Sequence, residues 1–99
     1  MKKLDRITEL NLSVINADET SKDGRKIIKG SCMELFTLIS GDYQKVGADA
    51  LVVGADALIL DMQNDLTCIN FNEPFMCEMA RGSFELYKTI YTNNVYPKL

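Results

Sequence analysis

Apolar residues recur along most of this chain at intervals of three, four and seven, the spacing of one face of a helix. Counting in sevens from Cys32 gives Cys32, Ile39, Val46, Val53 and Leu60, and a parallel row reads Phe36, Tyr43, Ala50 and Ala57. All nine positions are apolar or aromatic. Both rows run through a tandem duplication, VGADALV followed at once by VGADALI over residues 46–59, identical at six of seven positions. Seven residues make two helical turns to within about 20°, so a helix presents the same face twice. Beside the rows lies a stripe of small residues, Gly47, Ala50, Gly54 and Ala57. Their spacing of three, four and three is that of a seam between paired helices, and small side chains let a second backbone approach closely.

Residues 50–71 also read as three short apolar runs separated by turn residues, an antiparallel meander. Two interior glycines cost a helix about 1 kcal/mol each relative to Ala, which favours strands. Against that, an odd repeat exchanges the two faces of a strand. The pattern therefore predicts a mostly α fold, a compact small helical bundle. The alternative is α+β, with the three-stranded meander over 50–71 packed against two helices.

In residues 4–16, Ile7, Leu10 and Val14 suit a helical face. Leu10, Leu12 and Val14 also alternate with Asn11 and Ser13, which weaken a helix, so an extended or frayed segment is expected. Residues 17–24 read as a flexible polar loop with a DG turn signal. Ser31-x-x-Glu34 has the form of a capping box and predicts a helix start, and Ser40-Gly41-Asp42 predicts a break. Asn72-Glu73-Pro74 opens a final helix, with Asn93-Asn94 and Pro97 ending it near residue 92.

That final helix carries two apolar rows. Met76, Met79, Leu86 and Ile90, with Ser83 among them, form one stripe, and Ala80, Phe84, Tyr87 and Tyr91 form the other. One helix of a small domain seldom needs both for its own core. Tyrosine offers large contact area with a polar tip, so Phe84, Tyr87 and Tyr91 are candidate interface residues together with Gly47, Ala50, Gly54 and Ala57. Core packing is the competing role, foremost for Phe84.

The chain of 99 residues suits one domain, 1–99. A domain this size buries only about two-thirds of its unfolded surface, so self-association would help it. The net charge of −3 argues against a dedicated nucleic-acid binder, which is usually basic. Residues 22–29 carry +3 and residues 42–65 carry −4, an asymmetry that two copies can use head to tail. Lys22, Arg25, Lys26 and Lys29 suffice for a weak phosphate contact, although no aromatic residue interleaves them for stacking.

No signal-like apolar region follows the first lysines, and the longest near-apolar run is too short and too charged to span a bilayer. Three widely spaced cysteines fit a reduced cytosolic protein. There is no histidine to serve as general base or zinc ligand. No C-x-x-C pair, Gly-rich phosphate loop or calcium loop is present, so no cofactor or metal is expected. Asp49 and Asp56 lie two turns apart on a helix, too far to share a proton.

The expected function is a non-enzymatic interaction module: a small acidic cytoplasmic adaptor or inhibitor, such as a phage- or plasmid-type inhibitor of a host enzyme. Its partners would be a second copy, as a dimer or higher homo-oligomer, or a larger protein, with nucleic acid disfavoured and no membrane. The alternatives are a weak nucleic-acid or nucleotide binder using residues 22–29, and a small enzyme using carboxylates or a cysteine.

Overall fold

Ile7, Leu10 and Val14 decide the first element. In the computed structural model, which describes residues 2–47 and 54–99, Lys2–Asn16 is an α-helix, α1, with those three side chains buried. Of the two expectations for this segment, extended structure or a frayed helix, the helical one holds. Ser13 and Thr8, which otherwise compete with the backbone, donate back to the carbonyls of Glu9 and Leu4 at 3.2 and 3.0 Å. Burial of a whole apolar face outweighs a propensity loss of a few tenths of a kcal/mol per residue.

The polar loop is shorter than expected and closed by its own hydrogen bonds. Asp18 accepts from the Thr20 amide at 2.9 Å and hydroxyl at 2.6 Å. Ser21 is the N-cap of α2, Lys22–Val46, its hydroxyl accepting from the Gly24 amide at 2.9 Å. Gly24 is buried inside the first turn, where a Cβ would lie 1.8 Å from the Asp18 carbonyl oxygen. The capping box at Ser31 opens no helix: Ser31 is buried in the middle of α2. Its partner Glu34 instead accepts from the Arg6 guanidinium of α1, at 2.7 Å from Nη2. Nor does Ser40-Gly41-Asp42 break the helix, which runs on for 25 residues in all.

α2 stops at Gly47, whose φ of +69° is readily adopted only by glycine, and whose amide donates to the Tyr43 carbonyl. The next helix, α3, begins at Ala55 and ends at Thr67, with Gly54 as its N-cap. The duplicated segment is therefore not one continuous helix. The heptad rows keep their phase as far as Val46, with Cys32, Ile39 and Tyr43 buried. Beyond Gly47 the phase is lost: Leu60 is 57% exposed and Ala57 is exposed, while Met62 and Leu66 hold the core. The small-residue seam is corrected accordingly. Gly47 and Gly54 end and begin different helices, nothing among the described residues lies within 4 Å of a Cβ placed on either, and Ala50 falls outside the described residues. The meander alternative fails as well, since residues 54–71 contain α3 and a turn but no strand.

Pro74 occupies the first turn of α4, Pro74–Ile90. Its end differs from expectation. Asn93-Asn94 sits within a π-helical turn, Tyr91–Val95, and Pro97 within a 3-10 turn, Tyr96–Lys98. α2 is central and packs on α1, α3 and α4, and α4 also meets α1 and α3. The result is a small helical bundle. Its core draws Ile7 and Val14 from α1, Ile28, Leu35 and Ile39 from α2, Met62 and Leu66 from α3, and Phe84 from α4. Among the described residues, no helix is long and apolar enough to cross a membrane.

Candidate functional site

α4 is apolar round more than half its circumference. At 100° per residue, Tyr87, Ala80, Tyr91, Phe84 and Cys77 share one arc. Phe75, Leu86 and Met79 share another, with Ile90, Ser83 and Met76 between them. The aromatic arc is the inner one: Phe84, Tyr87 and Tyr91 are 1%, 3% and 0% exposed. These three candidate interface residues belong to the core. The stripe containing Met79 and Leu86 is the outer one. Phe75 is 72% exposed, Met79 51% and Leu86 52%, and Met76, Ser83 and Ile90 are half-buried at the boundary.

The tyrosines point inward because their hydroxyls find partners there. Tyr91 donates to the Asp42 carboxylate at 2.7 Å, Tyr87 to the Asp65 carboxylate at 2.7 Å, and Tyr43 to the Tyr87 carbonyl at 2.9 Å. The Tyr43 and Tyr91 rings stack with centroids 6.2 Å apart. Burial pushes all three phenols above their ordinary range, and the neighbouring carboxylates add to this for Tyr87 and Tyr91. They therefore stay protonated as donors. Desolvation works against the buried Asp42 carboxylate, but hydrogen bonds from Lys3, at 2.8 Å, and Tyr91 outweigh it and hold Asp42 below its usual value. This network ties α2 to the π-helical turn and to the first turn of α1. Beside it lies a crevice lined by Lys2, Lys3, Lys45 and Tyr96, and the Tyr96 hydroxyl is buried without a partner among the described residues.

No protein-family model, curated protein or solved structure matches this chain. Its functional reading therefore rests on its own surfaces.

The four candidate phosphate-contact residues do come together. Lys22, Arg25, Lys26 and Lys29 fall on one arc of the first two turns of α2 and line a single cleft with Phe71 and Asn72. Phe71 comes from the turn before α4 and is itself buried, so it forms a wall rather than a stacking platform. Cations near a helix N-terminus oppose the helix dipole, and like charges three or four residues apart repel. Each such effect costs a few tenths of a kcal/mol.

The cysteines are free thiols. Cys32 and Cys77 are buried, and desolvation raises both, Cys32 to about 12, so neither is a nucleophile at neutral pH. Cys68 is exposed. Among the described residues, no group of three or more carboxylates and thiols is placed to hold a metal ion.

Sequence reasoning finds both rows of α4 and leaves the aromatic one open between interface and core; the structure buries it, exposes Met79 and Leu86, and adds Phe75, which the sequence reading misses. It also misses Phe71 and Asn72, which reach the basic cleft only through the fold.

Proposed function

We propose that the protein is a non-enzymatic interaction module that works as a homodimer, pairing the outer face of α4 with the same face of a second copy. The observation that carries this reading is the spacing of that face. Phe75, Met79, Leu86 and Ile90 are arranged symmetrically about the point between Gly82 and Ser83. Two antiparallel copies of α4 related by a two-fold axis at that point set Phe75 against Ile90 and Met79 against Leu86. Self-complementarity of this kind is what a two-fold interface requires. The small residues fall at the crossing, where two helices come closest. Gly82 is exposed, and a Cβ placed on it would meet nothing within 4 Å among the described residues, so nothing described inside the chain calls for a glycine there.

The flanks suit the same arrangement. Glu78 pairs with Arg81, and Glu85 with Lys88 at 3.0 Å, so the acids beside the apolar row are neutralised within their own helix. The exposed part of the row amounts to on the order of 400 Å² per copy, about half of what a standard interface buries. A dimer of this size belongs to the weak, transient class.

Sedimentation velocity from about 1 μM to 1 mM tests the reading. A concentration-dependent shift from monomer to dimer that disappears in Met79→Glu/Leu86→Glu supports it. A monomer at every concentration, or a dimer indifferent to those substitutions, rejects it in favour of a different partner or face.

A further inference from the structure

Lys22, Arg25, Lys26 and Lys29 crowd four positive charges into the first two turns of α2, at the end of the helix that is itself positive. The Arg25 guanidinium donates to the Glu19 carbonyl at 3.2 Å and lies near the Asp18 carboxylate. Among the described residues, no carboxylate forms an ion pair with Lys22, Lys26 or Lys29. Asp23 lies three residues before Lys26 in the same stretch and offsets one of these charges, which leaves an excess of three over residues 22–29. The remaining cationic excess opposes the helix dipole and draws anions.

The cleft gives the charges a common target. It has a volume of about 140 Å³ and is bounded opposite α2 by the apolar wall of Phe71 and the amide of Asn72. It opens where two helices begin, α2 at Lys22 and α4 at Pro74. The N-cap of α4, Glu73, makes no side-chain bond to the first turn, which leaves backbone N–H groups without partners inside that helix. Four cationic side chains, Phe71 and Asn72 thus line one small space.

We infer that this cleft binds a small phosphate-bearing anion, holding one phosphate or diphosphate group between Lys22, Arg25, Lys26, Lys29 and Asn72. The guanidinium fork and the three ammonium groups are donors suited to phosphoryl oxygens. The volume is below the roughly 300–1,000 Å³ that encloses a drug-sized molecule, so the site takes a head group and leaves the rest of the ligand in solvent. From Lys22 to Lys29 the row extends about 10 Å along the helix axis, enough to follow two linked phosphates. The protein's net charge of −3 disfavours the approach of a long polyanion. The site includes no residue of the outer row of α4, so it stands or falls independently of dimerisation.

The test is an amide NMR titration of the full chain with pyrophosphate, at about 50 mM salt to limit screening. Saturable shifts confined to residues 22–29 and Asn72 are expected. Affinity should fall roughly tenfold or more in Lys26→Gln/Lys29→Gln, which removes two charge-assisted contacts, and should hold in Lys98→Gln, a lysine remote from the cleft. The melting temperature of the unliganded double variant should equal or exceed that of the wild type, because repulsion is relieved. Absence of shifts up to about 10 mM pyrophosphate, a millimolar threshold for weak binding, would overturn the proposal. Equal weakening by Lys98→Gln would overturn it too, as would a single-stranded oligonucleotide binding more tightly than pyrophosphate through the same residues.

Discussion

The inner and outer rows of α4 have similar apolar character and opposite fates. Cys77, Ala80, Phe84, Tyr87 and Tyr91 are buried, whereas Phe75, Met79 and Leu86 are more than half exposed. Hydrophobicity does not separate them. What does is the pair of carboxylates that meet the inner row: Asp42 and Asp65 satisfy the Tyr91 and Tyr87 hydroxyls, so a flat aromatic surface can be buried without stranding a polar group. Met and Leu have no such anchor and occupy the arc that remains. In a small bundle, a buried carboxylate is therefore as informative about orientation as a long apolar run.

Substitutions in the two rows should differ most at Phe84. Phe84→Ala is expected to cost about 3–5 kcal/mol of folding stability by urea denaturation, the usual range for a deleted core aromatic. A loss below about 1 kcal/mol would erase the distinction between the rows.

Asp42 comes next. Asp42→Asn leaves Lys3 without its anion and is expected to cost about 2–3 kcal/mol, somewhat less than a fully buried pair because the Lys3 side chain is 38% exposed. The native carboxyl titrates below its unfolded value of about 3.9, so its contribution is present above that value and is lost as the pH falls through the lower native one. Urea midpoints measured from pH 6 down to pH 3 should decline less steeply in Asp42→Asn. Parallel declines would remove Asp42 from the account of the inner row.

Gly82→Leu should act with the opposite sign. In the monomer the new side chain meets open space and replaces the poorest helix former but proline, a gain of about 1 kcal/mol. In the proposed dimer it props the crossing apart. Higher thermal stability together with lost association is the combination expected, and unchanged association would separate the outer row from any helix pairing.

Met79→Ala is the smallest effect, within about 0.5 kcal/mol in dilute protein, because the side chain is half in solvent already. A larger loss by calorimetry would show that the outer row supports the monomer.

Much of the bundle is legible from periodicity. Ile7, Leu10 and Val14 are visible as a face, and only the weight given to Asn11 and Ser13 hides the helix. The start of α2 is misplaced because Ser31-x-x-Glu34 satisfies a capping pattern that Ser21 lacks, and a local pattern does not reveal that Glu34 bonds across to Arg6. The duplication misleads for a related reason. Its near-identical copies imply like environments, yet the first begins at the end of α2 and the second leads into α3, and the positive φ at Gly47 that ends α2 within the first copy is not a periodic signal. At the basic cleft the cations are evident as neighbours on one helix, while Phe71 and Asn72 arrive from a turn more than forty residues away.

Arg81 closes α1 from a distance. Its guanidinium donates to the carbonyls of Val14, at 3.0 Å, and Ala17, and pairs with Glu19 at 3.0 Å. The terminal carbonyls of the first helix thus depend on a residue made more than sixty positions later. During synthesis α1 emerges with that end open to water and acquires its lid only when α4 docks. A fragment ending before residue 81 is therefore expected to fray at Val14–Ala17, which makes the docking of α4 the event that completes α1.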